Sequence, residues 1–74
     1  MKATAKVIGL RIKKLRTEKG FTQDELASKA GVDRSYMGRI ERGEINISLE
    51  KAIQISVALG IGIEHIANDD DTKI

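Results

Sequence analysis

Apolar residues recur three and four positions apart along most of the chain, and short polar or glycine-marked breaks interrupt them. The first such stretch spans residues 5–19. Ile8, Ile12 and Leu15 share one face of a helix there, and lysines and arginines fill the other. Gly20 follows, suited to a left-handed C-cap. Thr22 and Glu25 then stand three residues apart at the head of an apolar run, the pattern of a capping box. The spacing predicts a second helix over 23–30 that buries Leu26, Ala27 and Ala30 and breaks at Gly31. Val32 reads as a plug into the core. Asp33 reads as the next N-cap, its carboxylate favouring the positive helix end. A third helix over 34–42 stops at Gly43, and a short loop, EINI, leads to Ser48 as a further N-cap. A fourth helix over 49–59 stops at Gly60. A short fifth over 63–68 precedes an acidic tail, DDDTKI, expected to fray. The pattern predicts an all-α fold of five short helices: one domain over residues 1–68, with a tail at 69–74.

Composition narrows this picture. The 74 residues suit one small core, near the size where stability is marginal. There is no cysteine and no proline, and Phe21 and Tyr36 are the only aromatics, so the core must be aliphatic, which favours packed helices over a sheet sandwich. No apolar run approaches the roughly 18 residues that span a bilayer. The start, MKATAKVIGLRIKK, has too short an apolar patch for a signal peptide, so cytoplasm is the expected location. His65 is the only histidine and has no cysteine partner. Neither a metal cluster nor a nucleophile pair can therefore be assembled, and neither an enzyme nor a cofactor is expected. Asp69–Asp71 lack the glycine turn and spacing of a calcium loop.

Charge is unevenly spread. Residues 1–47 carry 11 Lys/Arg against 6 Asp/Glu, and residues 48–74 carry 2 against 5, so a front of +5 and a back of −3 give the whole-chain +2. A basic front suggests a polyanionic partner, although solvated helices also carry lysine.

The second helix, the turn at Gly31 and the third helix make a helix-turn-helix arrangement. On the third helix, Met37, Ile40 and the Tyr36 ring fall on the arc toward the core, and Arg34, Ser35, Gly38 and Arg39 on the outer arc. Arginine can bridge guanine O6 and N7, worth roughly 1–3 kcal/mol of discrimination. Gly38 costs about 1 kcal/mol of helix stability against alanine, so it needs a reason. Close approach of DNA is one, and avoidance of a clash with the second helix is the other. Thr22 and Gln23 open the second helix, where free amides attract a phosphate. Arg42, Asn46 and Lys29 are candidates for flanking phosphates, Lys29 being the most readily explained as solvated surface.

With these motifs in view, the sequence resembles the Cro/CI-type helix-turn-helix family, the lambda-repressor-like DNA-binding fold of bacterial and phage regulators. The shared stretches are IGLRIKKLRTEKGFTQDELASKAGV, RIERGE and SLEKAIQISVALGI, which together cover about residues 8–61. A closer similarity is to controller proteins of restriction–modification systems, through DRSYMGRIERGEINISL. The resemblance implies a sequence-specific, duplex-binding transcription regulator that recruits or blocks RNA polymerase by occupying an operator. It implies that Asp33, Arg34, Ser35, Tyr36 and Arg39 lie at base edges or nearby phosphates, that Gln23 and Asn46 hold the backbone, and that Arg16 and Glu41 form an ion bridge between helices one and three. Two departures stand out: Ala52 where leucine is frequent, and Gly62 where a capping serine is common. The alternatives are a phage-type repressor, or an antitoxin or protein-interaction module on the same fold.

The fourth helix is too apolar for one stripe. Leu49, Ala52, Ile55, Ser56 and Leu59 cover one arc, while Ile53 and Val57 lie well round the wheel, and Ile61, Ile63 and Ile66 follow. Such a patch reads as an interface, or as a surface covered by the last helix folding back. Two-fold pairing through Ile53, Val57, Ile61, Ile63 and Ile66 would set two recognition helices about 34 Å apart on a near-palindromic operator. Two such dimers on adjacent sites are the further expectation.

Overall fold

A computed structural model describes residues 4–67, which form five helices and no strand. They are α1 (Ala5–Glu18), α2 (Gln23–Ala30), α3 (Arg34–Glu41), α4 (Leu49–Leu59) and α5 (Glu64–Ala67). The expected end of the fifth helix at Asn68 and the acidic tail lie outside the described residues.

Side-chain caps fix three of the starts. The Thr4 hydroxyl accepts from the Val7 amide at 3.2 Å, and Ser48 accepts from Lys51 at 3.1 Å. At α2 the capping box is complete: Glu25 N–H donates to Thr22 Oγ1 at 3.0 Å, and Thr22 N–H donates to Glu25 Oε1 at 2.8 Å. Each cap contributes about 1 kcal/mol by satisfying an amide that the helix leaves unpaired. Asp33 occupies the N-cap position of α3 but makes no side-chain cap bond.

The turn between α2 and α3 depends on Gly31, at φ 72°. That left-handed conformation lets Val32 N–H reach back to Ala27 O at 2.9 Å, which closes the end of α2 and reverses the chain. α3 ends one residue short of the expected 42, and Arg42 becomes its C-cap. α5 is a single turn starting at Glu64, one residue after Ile63.

The core draws on every helix. Ile12, Leu26, Met37, Ile40, Ile55 and Ile66 are the largest fully buried side chains. Burial of one such side chain contributes about 1.5–3 kcal/mol, against the entropy of ordering it. α1 packs on α3 and α5, and α2 packs on α3 and α4. Small residues permit the close approaches. Ala27, Ala30 and Ala52 are all buried where α2 and α4 meet the core. Gly9 of α1 lies against the end of α3: a Cβ there would collide with the Ile40 carbonyl oxygen and stand 2.8 Å from that of Glu41.

Two apolar positions differ from the sequence pattern. Leu49 begins α4 before that helix meets the core, and it is exposed instead of lying on the buried arc. Ile66, expected at a subunit interface, is 0% exposed within one chain. α5 folds back on α1, where Arg11 Nη1 donates to the Ile66 carbonyl at 2.8 Å, and this tucks the isoleucine inside.

Candidate nucleic-acid interface

α3 is held from behind by a buried polar cluster. Glu41, at its last turn, accepts from Arg16 Nε at 2.7 Å and from Arg16 Nη2 at 3.0 Å, a two-pronged pair across α1 and α3. Arg16 Nη1 also donates to the Phe21 carbonyl at 2.9 Å. Gln23 Nε2 donates to Glu41 Oε1 at 3.0 Å and so ties the start of α2 to the same carboxylate. Every buried side-chain polar atom among the described residues finds a partner. One carboxylate thus joins α1, α2 and α3 and fixes the angle at which the outer face of α3 is presented.

That outer face is open. Gln23, Arg34, Ser35, Gly38, Arg39 and Arg42 line a cleft of about 340 Å³ between the start of α2 and the exposed side of α3. Arg34 and Ser35 are exposed, and the side chains of Arg39 and Arg42 are 55% and 60% exposed. Three guanidiniums on one face attract anions, and their planar donor sets match phosphate and guanine edges. Gly38 lies inside the cleft and is buried, not bare to the outside as its place on the wheel suggested. A Cβ on it would stand 3.2 Å from Arg42 Nη1 and 3.6 Å from Gln23 Oε1, so the glycine makes room for two polar side chains that cover it.

The other expected contacts are scattered around this cleft. Thr22 is exposed at the N-cap of α2, and its hydroxyl, already accepting from Glu25, retains a proton to donate. Asn46 is exposed in the loop before α4 and Asp33 at the start of α3; neither lines the cleft. Tyr36 is half-buried against the core, with the Lys51 ammonium 6.0 Å from its ring centre. Lys29, exposed and away from the cleft lining, has its ammonium over the Phe21 ring at 5.2 Å.

Glu44 was not picked out by sequence reasoning. Its carboxylate accepts from Arg42 Nε at 2.7 Å and lies 3.6 Å from Arg39 Nε. The Arg42 hydrogen bond holds this carboxyl below its ordinary range, and the charges of Arg42 and Arg39 add to the effect. Only the turn at Gly43, φ 76°, brings Glu44 back over the helix it follows, and local sequence pattern does not show that.

On α4, Leu49, Ile53 and Val57 stand four residues apart and are exposed, beside the arc of the buried Ala52, Ile55, Ser56 and Leu59, with Ile53 and Val57 turned furthest from it. Val57 is 72% exposed. Ile61 and Ile63 are half-buried. No helix among the described residues is long and apolar enough to cross a membrane.

Residues 12–66 match the family model described as "Helix-turn-helix". The chain is 41% identical over 66 residues to the HTH-type transcriptional regulator SinR of Bacillus licheniformis, with 88% of this chain and 60% of SinR covered. It is 39% identical over 62 residues to the control protein C.MunI of Mycoplasma sp, with 82% of this chain and 84% of that protein covered. The crystal structure of the restriction-modification controller protein C.AhdI from Aeromonas hydrophila superposes with a TM-score of 0.82 at 40% identity, covering 84% of this chain and 94% of that one. This chain therefore spans about three fifths of SinR, against 84% of C.MunI and 94% of C.AhdI.

Proposed function

The chain belongs to the helix-turn-helix family of transcriptional regulators, and from that premise we propose that it binds duplex DNA as a homodimer, with α3 in the major groove. The observation that carries this reading is the cleft, which gathers Arg34, Ser35, Arg39 and Arg42 on one open face. Arg34, Ser35 and Arg39 face the base edges, with Asp33 and Tyr36 beside them at the start of the helix. Thr22, Gln23, Arg42 and Asn46 take the phosphates on either side. Gln23 reaches the backbone from a position set by Glu41, so the same carboxylate that locks the fold also aims a phosphate contact.

Pairing runs through Ile53 and Val57, extended by Leu49 at one end and by Ile61 and Ile63 at the other. Ile66 belongs to the subunit's own core and takes no part in the pairing. Two α3 helices so paired read half-sites about 34 Å apart, one turn of DNA, which requires a near-palindromic operator. The protein works by occupancy, without chemistry or cofactor, in the cytoplasm, and it recruits or blocks RNA polymerase according to where the operator lies. Two dimers on adjacent operators are the natural extension. Residues 1–68 make up the domain in this reading.

Controller of a restriction–modification system is the specific role we favour. The likeness to C.MunI and C.AhdI extends over 84% and 94% of their length, whereas the likeness to SinR covers 60% of that protein. A phage-type repressor is the second reading. Selection from a randomised duplex pool tests both the binding and the dimer: a near-palindromic motif is the expected product, and an unrelated or absent motif refutes it. Arg34→Ala and Arg39→Ala should each lose about 1–3 kcal/mol of preference for the selected motif while keeping the fold. Unchanged preference in either variant removes that residue from the base-reading set.

A further inference from the structure

Glu44 holds an unusual place. Arg39 and Arg42 are the two cations at the C-terminal half of the cleft, and one carboxylate engages both. Its hold on Arg42 is forked, Nε at 2.7 Å and Nη2 at 3.5 Å, and its distance to Arg39 Nε is 3.6 Å. The carboxylate side chain is 45% exposed, so it is not needed to satisfy a buried charge. It presents to the two guanidiniums a pair of anionic acceptor oxygens, as a phosphate does. A phosphate that approaches Arg42 therefore meets an anion that the protein already carries there.

We propose that Glu44 is a specificity-determining residue, an internal competitor that occupies Arg39 and Arg42 until a duplex offers more than phosphate charge. The physical basis is a difference in gains. On random-sequence DNA Arg39 finds no base partner, so the carboxylate stays beside it, held against the phosphate chain, and the phosphate that takes Arg42 gains little. On the operator, Arg39 acquires two directed bonds to a guanine, and the carboxylate, held by Arg39 only at 3.6 Å, is released to turn into solvent away from the phosphates. Glu44 thus subtracts more from indiscriminate binding than from operator binding, and it widens the ratio between them. This rests on the DNA-binding reading above and adds to it a residue that touches no base.

The test uses the whole chain with Glu44→Gln, which keeps the shape and removes the charge. Affinity is measured on random-sequence duplex and on the operator selected by the wild-type protein, across a salt series. The expected result is a gain of about two- to fivefold on random duplex, the size of a released exposed ion pair, with a smaller gain on the operator. The salt slope should steepen by about 0.9, one phosphate equivalent. In an Arg42→Ala background the same substitution should change random-duplex affinity less than it does in the wild type. Equal affinities of wild type and Glu44→Gln on random duplex would overturn the proposal while leaving the DNA-binding reading intact. So would a loss confined to the operator, because Glu44 would then be orienting the arginines for base contact. A wild-type chain that binds no duplex at all would instead sink the underlying reading, and the proposal with it.

Discussion

Glu41→Ala is the most informative single change to the fold, because three helices meet at that carboxylate. Its side chain is 2% exposed and that of its partner Arg16 is 11% exposed. Removing the carboxylate strands a nearly buried guanidinium, which keeps only its bond to the Phe21 carbonyl at 2.9 Å. Breaking such a pair from one side costs about 3–5 kcal/mol. A domain of this length holds only about 4–11 kcal/mol in total, so the variant should lose about a quarter of its stability or more. At about 4–8 °C per kcal/mol, the thermal midpoint should fall by at least about 12 °C. Thermal and urea unfolding followed by circular dichroism would measure this. The companion variant Arg16→Met/Glu41→Leu isolates the cause: it removes both charges and leaves apolar groups of similar bulk, so it should recover most of the loss. If Glu41→Ala costs less than about 1 kcal/mol, or if the double variant is no more stable than the single one, then the stranded charge is not what the cluster guards against. In that case Gln23 and the α2–α3 angle must be held by apolar packing alone.

Other outcomes follow from the same structure. Gly9→Ala should destabilise by about 1–3 kcal/mol in urea unfolding despite its gain in helix propensity, because the obstacles are the fixed carbonyls of Ile40 and Glu41. Thr22→Ala should cost about 1 kcal/mol through loss of the capping box, and Asp33→Ala should cost clearly less, since Asp33 makes no cap bond. Val57→Glu should leave the fold intact and yield monomers in sedimentation; a variant that remains dimeric would place the interface elsewhere.

Features that depend on near neighbours in sequence were the readable ones. The Thr22–Glu25 capping box, the Ser48 cap, the extents of α2 and α4, and the reversal at Gly31 all involve residues within one helical turn of each other. Features that depend on what another element brings were not readable. A wheel turned Gly38 outward, but it cannot show that Gln23 and Arg42 close over it. Ile66 belonged to a run of isoleucines that looked like a patch, and only the fold-back of α5 onto α1 decides that it is core. Leu49 fitted the buried arc by angle, yet it stands at the helix start, before that arc reaches the core. Glu44 escaped notice because the turn at Gly43, not a helical period, carries it beside Arg39 and Arg42. The Arg16–Glu41 bridge came through family resemblance; its third member, Gln23, came into view only in three dimensions.

Helix α4 has apolar neighbours on two sides: Ile55 and Leu59 line the subunit's own core, and Ile53 and Val57 look away from it. With that outer stripe paired, each molecule lends stability to its mate, and resistance to unfolding rises with copy number. The first few molecules made in a cell would then be mostly single and poorly able to grip a two-part site. Regulation would begin late and rise steeply, a timing device that comes from the stoichiometry of one helix and not from any further component.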